Sequence, residues 1–144
     1  MTIFYRQLAE LESNIENLEQ ISNEDLMKPL MHAYYLSESL TEEYKNSIGD
    51  WLRAYIGRLQ NDARPDSERR AAMNLVNPKY VLRNYLAQLA IDKSEQGDHS
   101  IVNELLEVLR RPYDEQPEQE AEYFQRRPDW ARQRAGCSML SCSS

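Results

Sequence analysis

Glycine, histidine and cysteine are scarce in this chain of 144 residues, which holds four, two and two of them. Four glycines leave little for the flexible loops that wrap phosphate groups. Two histidines, His32 and His99, are too few for a histidine-built metal or catalytic cluster. No stretch reaches the roughly 18 consecutive apolar residues that a membrane helix needs, so no membrane association is expected. The opening Met1-Thr2-Ile3-Phe4-Tyr5 meets Arg6 before a signal-peptide core can form, and the expected location is cytoplasmic. Basic excess is missing as well: 17 Lys+Arg face 24 Asp+Glu, a formal charge of −7. Residues 1–50 hold three basic and ten acidic side chains against fourteen of each in 51–144. An acidic surface repels phosphate backbones, so no nucleic-acid partner is expected.

What is present suits a soluble helical protein. The chain is 41% hydrophobic and 28% charged. At this length folding can bury roughly 68–70% of the unfolded surface without metal or disulfide support. Phe4, Leu8, Leu11, Ile15 and Leu18 recur at steps of four and three, which predicts one amphipathic helix. Ser22-Asn23-Glu24-Asp25 reads as a helix start, after which Pro29 either kinks the segment or stands in the first turn of a helix carrying Leu30, Met31, Tyr34 and Tyr35. Ser39-Leu40-Thr41-Glu42 is a second capping signature. It leads into a long helix through Tyr44, Ile48, Trp51, Leu52, Tyr55, Ile56 and Leu59, with Gly49 and Gly57 expected at close helix approaches. A short helix over 66–73 follows the break at Pro65.

Asn77-Pro78 reads as an N-cap and first helical residue, opening a helix that buries Val81, Leu82, Tyr85, Leu86, Leu89 and Ala90. Gly97 ends it, Asp98 or Ser100 caps the next helix, and Pro112 stops that one, which predicts an αα-hairpin over 77–111. Beyond Pro112 the helical period fails. An extended tail over 112–144 is expected, with a turn or two of helix at 118–124 and Tyr113, Tyr123, Phe124 and Trp130 as anchors. The fold class is therefore all-α: an irregular bundle of about five to six helices spanning 1–111, followed by the tail.

Chemistry is sparse. There is no Gly-Lys-Ser/Thr phosphate loop, no His-Glu-x-x-His and no Gly-x-Ser-x-Gly. Asp92, Glu95 and Asp98 lack calcium-loop spacing. Arg126, Arg127, Arg132 and Arg134 are expected to pair with acidic helices. Catalytic, cofactor and metal residues are thus expected to be absent from this chain. The distinctive end is Gly136-Cys137-Ser138-Met139-Leu140-Ser141-Cys142, where two thiols on a small polar tail are accessible candidates for oxidation.

The segments Asn77-Pro78-Lys79-Tyr80-Val81-Leu82-Arg83-Asn84-Tyr85-Leu86-Ala87-Gln88, Gly97-Asp98, Arg111-Pro112-Tyr113, Arg127-Pro128-Asp129-Trp130-Ala131 and Cys142-Ser143-Ser144 resemble the C-terminal end of the selenoprotein O family. Trp51, Tyr55, Arg58-Leu59 and Ser67-Glu68-Arg69 support the likeness, which is thin over residues 1–50. The resemblance implies a kinase-like protein adenylyltransferase that uses ATP and Mg²⁺ to place AMP on Ser, Thr or Tyr hydroxyls of proteins. It also implies that the nucleotide-gripping groups lie in a larger kinase-like region, whose motifs this sequence does not contain. The expected role is structural support for that region, without activity alone. The kinase-like region of the same parent is the expected partner, together with the parent's protein substrates. Cys142 stands where animal members carry selenocysteine, which implies a redox role, with Cys137 or a cysteine of the kinase-like region as its partner. Because the N-terminal helix stripe lacks an evident partner, an exposed apolar face, usable for self-association, is expected there, where the kinase-like region packs. The alternative is a free-standing helical interaction module with an acidic binding face.

Overall fold

A computed structural model describes residues 2–35 and 39–137. Among them every regular element is helical, and the protein is all-α. The described residues form seven α-helices: α1 (Thr2–Ala9), α2 (Asn23–Met27), α3 (Glu42–Asp62), α4 (Asp66–Val76), α5 (Asn84–Ser94), α6 (Ser100–Arg110) and α7 (Pro117–Tyr123). The chain separates into two compact units, Met1–Asn77 and Pro78–Ser144. A bundle boundary near residue 111 would fall inside the second unit.

In the first unit, the stripe that predicts one helix from Phe4 to Leu18 is split. Helix α1 stops at Ala9, Asn17 takes a left-handed φ of 52°, and Leu18–Gln20 forms a short 3-10 turn. The apolar residues still turn inward: Leu8 and Leu11 join Leu26, Met27, Leu30, Leu52 and Ile56 in the buried core, with Phe4, Ile15 and Leu18 packed against it. What ends α1 is a partner far along the chain. The buried Arg69 of α4 donates to the carbonyls of Leu8 and Leu11, and Asp66 accepts from the amide and hydroxyl of Ser13 at 2.8 and 3.0 Å. A helix leaves its last four carbonyls unpaired, and a buried guanidinium that serves such groups fixes where the helix ends.

The arrangement is reciprocal. Arg6 of α1, also buried, donates through Nε to the Asn77 carbonyl at 2.9 Å and through Nη2 to the Asn74 carbonyl at 3.3 Å, covering the end of α4. Each helix therefore supplies the arginine that closes the other.

The predicted caps at Ser22 and Thr41 are present. The Ser22 hydroxyl oxygen accepts from the Asp25 amide at 3.1 Å, and that of Thr41 from the Tyr44 amide at 3.2 Å. Pro29 lies in a 3-10 helix, Lys28–Ala33, that continues directly from α2. Gly49 is a close approach, since a Cβ there would lie 2.2 Å from Asn23 Oδ1, whereas Gly57 faces open space and marks none.

In the second unit, the expected helix start at Asn77-Pro78 is not used. Asn77 instead closes α4, its side-chain amide donating to the Met73 carbonyl at 2.8 Å, and residues 78–83 are non-helical. The amides of Lys79 and Tyr80 both donate to the Pro112 carbonyl, at 2.7 and 3.1 Å. The Tyr80 hydroxyl lies 2.7 and 2.8 Å from the carbonyl oxygens of Glu115 and Gln116. That long-range pairing replaces a first helical turn, leaving Val81 half-buried and Leu82 exposed rather than in the core. The αα-hairpin is thus α5 and α6, turning at Gly97 (φ +84°), with Asp98 Oδ1 accepting from the Ser100 amide at 2.9 Å. Pro117 opens α7 across the expected turns, and Tyr123 and Phe124 are buried anchors, while Tyr113 and Trp130 are exposed.

Candidate functional site

The thiol-bearing end of the second unit was the sequence's one reactive feature. Cys142 lies outside the described residues. Cys137 is a free thiol but is only 2% exposed, so it does not sit on an accessible tail.

The burial of Cys137 follows from how the preceding residues are pinned to α5. Trp130, in the 3-10 helix Asp129–Arg132, meets Tyr85 edge to face with ring centroids 6.2 Å apart. The Arg134 guanidinium lies 5.7 Å from the Trp130 ring centre and pairs with Asp92. Gln88 donates to the same carboxylate at 2.9 Å; that hydrogen bond, followed by the one from Arg134, holds Asp92 below the usual carboxylate range. Gly136 then takes a φ of +83°, and a Cβ there would lie 1.9 Å from Gln88 Oε1. Only glycine combines that backbone with that approach.

A second polar constellation surrounds Lys79, which is 5% exposed. Its ammonium donates to Glu115 at 2.8 Å and Glu120 at 2.9 Å and lies 5.3 Å from the Phe124 ring centre. Burial pulls its pKa down, but hydrogen bonds and charge attraction from the two carboxylates outweigh this and raise it above the ordinary lysine value. Two of its three donors are taken by carboxylates, and those carboxylates repel a phosphate. The Tyr123 phenol nearby donates to Glu104 at 2.9 Å, and burial first, then that contact, raises its pKa.

The groove between α6 and α7, about 570 Å³, is lined by Glu104, Glu107, Asp114 and Glu118, with Arg111 as its one cation. Its field opposes a triphosphate. Among the described residues no cluster of His, Cys, Asp or Glu is placed to hold a metal ion. His32 lies in the 3-10 helix after α2, and His99 is exposed at the start of α6. Of the arginines expected to pair with acidic helices, Arg134 reaches Asp92 of α5, and Arg132 pairs locally with Asp129.

Sequence reasoning missed the three buried cations, Arg6, Arg69 and Lys79. Arg69 and Lys79 stand inside the segments that carry the family likeness, but a lone basic residue in a helical pattern gives no sign of burial.

No family model matches the chain. Named relatives do. Over its whole length it is 56% identical to the protein nucleotidyltransferase YdiU of Rhodopirellula baltica, 51% to that of an Azoarcus strain and 45% to that of Flavobacterium johnsoniae. The chain belongs to the selenoprotein O family, in its C-terminal region. It spans 26–27% of the length of those three relatives. The likeness thus covers residues 1–50 as well as the later segments.

Proposed function

We propose that this chain is the helical support of a selenoprotein O-type protein adenylyltransferase. In the whole protein a kinase-like region takes ATP with Mg²⁺ and transfers AMP to Ser, Thr or Tyr hydroxyls of protein substrates. This chain contributes scaffold, not chemistry, and works in the cytoplasm. The observation that carries the reading is its 56% identity over the full chain to a protein named as a nucleotidyltransferase. The disposition of its cations agrees with a supporting role. Lys79 is engaged by carboxylates, and Arg6 and Arg69 by backbone carbonyls, so these buried donors serve folding. Nucleotidyl transfer requires basic groups and metal converging on a triphosphate.

Cys142 carries the regulatory part of the proposal. Its thiolate displaces one thiolate from a low-molecular-weight disulfide, and a cysteine thiolate of the kinase-like region resolves the mixed disulfide, releasing the second. Cys137 is the poorer partner, because its burial requires the turn at Gly136 to open first.

The test uses ATP labelled at the α-phosphate. The purified chain should label no protein, whereas a chimera carrying these 144 residues in place of the matched region of the Rhodopirellula baltica relative should do so. Labelling by the isolated chain, or a folded chimera without activity, would overturn the reading.

A further inference from the structure

Helix α6 is apolar over more of its circumference than its own unit covers. With successive residues about 100° apart, Val108, Ile101, Leu105, Leu109, Val102 and Leu106 form, in that order, one continuous arc of roughly 160°. Leu105 and Val108, at one side of the arc, are buried. Ile101 and Leu109 are half-buried. Val102 and Leu106, at the other side, are 44% and 49% exposed. The inner side of this arc is explained by the core of the second unit; the outer side is not.

An aliphatic strip that runs continuously out of a core marks a surface meant to be covered. The strip bears no charge until Arg110 at its margin, so its occupant is apolar rather than an ionic peptide or a phosphate. This chain spans 27% of the Rhodopirellula baltica relative, so most of that polypeptide lies outside it. Polypeptide in the same molecule is present at an effective concentration that a second copy or a foreign partner rarely matches. We infer that the Val102–Leu106 face of α6 is the seat for an apolar surface of the remaining part of the selenoprotein O polypeptide. The inference rests on the support function proposed above and names the side of this chain through which support is given.

The experiment compares two single-cysteine positions in the free chain and in the chimera. Leu106→Cys lies on the seat; Glu107→Cys, about 100° round α6 from it and outside the apolar arc, is the control, its side chain 68% exposed. The rate of maleimide labelling at each is read by peptide mass spectrometry. Labelling at position 106 is expected to slow at least tenfold on going from the free chain to the chimera, while position 107 changes less than twofold. Equal slowing at both positions, or none at 106, would overturn the inference. So would concentration-dependent protection of 106 in the free chain, which would make a second copy the occupant. An active chimera with an accessible 106 defeats the seat alone; a folded but inactive chimera defeats the support function.

Discussion

The first unit of this chain buries two cations and the second buries one, and they satisfy them in different ways. In Met1–Asn77, Arg6 serves backbone carbonyls at the end of α4, and Arg69 serves those of Leu8 and Leu11 at and just past the end of α1 while also pairing with Asp66 at 3.2 Å, so the charge organises helix termini. In Pro78–Ser144, Lys79 is spent on two side-chain carboxylates, Glu115 and Glu120, so the charge fastens the non-helical 78–83 segment to α7 and the turn before it. A guanidinium does not lose its proton in a protein, whereas an ammonium does at high pH. The first clamp is insensitive to alkali and the second is not.

The largest expected effect breaks the first clamp. Arg69→Met removes the donor to the buried Leu11 carbonyl and leaves Asp66 without its cation, at a cost of about 3 kcal/mol. Hydrogen exchange should show α1 and α4 losing protection while α5 and α6 keep theirs; equal loss in both units would erase the distinction. Next, replacing Glu115 and Glu120 together by Gln leaves Lys79 buried beside neutral groups, at a cost of about 2 kcal/mol confined to the second unit.

The alkaline limb sharpens the same contrast. Lys79 has a raised pKa in the folded protein, so its contribution is complete below the ordinary value of 10.5 and is lost as pH climbs through the folded value. Tyr34 in the first unit and Tyr123 in the second are raised chiefly by burial and add a loss of the same sign to each. Lys79→Met should therefore flatten the alkaline decline of α5 and α6 and leave that of α1 and α4 unchanged in pH-dependent exchange.

The glycines of α3 give effects of opposite sign. Gly49→Ala drives a Cβ into Asn23, whose side chain also accepts from Arg53, and should cost about 1–2 kcal/mol. Gly57→Ala meets nothing and should raise stability by about 0.5–1 kcal/mol. Thermal melts of the two variants check both signs.

The smallest effect is at the hairpin turn. Asp98 is held at about 2, below its ordinary 3.8, first by the Ser100 amide, then by the Ser100 hydroxyl and Lys93. A lowered folded pKa gives stability that is complete above 3.8 and is lost as pH falls through about 2. Asp98→Asn should flatten that part of the acid limb for α5 and α6, measured by the pH dependence of their exchange.

The same contrast shows which features a sequence exposes. Ser22, Thr41, Gly97 and Asp98 act on residues two to four positions away, and their roles are legible because the partner lies within the window that periodicity and capping rules inspect. The end of α1 is decided by Arg69, some sixty residues on, and the missing helix start at Asn77-Pro78 by Pro112 and Glu115. Local propensity favours a helix at both places, and a distant buried partner overrides it. Cys137 follows the same rule: a small polar neighbourhood suggests exposure, yet Gln88 and Asp92 of α5 draw its segment inward.

The claim that this chain supports nucleotidyl transfer without performing it is tested most directly by calorimetric titration of the purified 144 residues with ATP and Mg²⁺. The account predicts no saturable heat. A saturating, magnesium-dependent isotherm would contradict it.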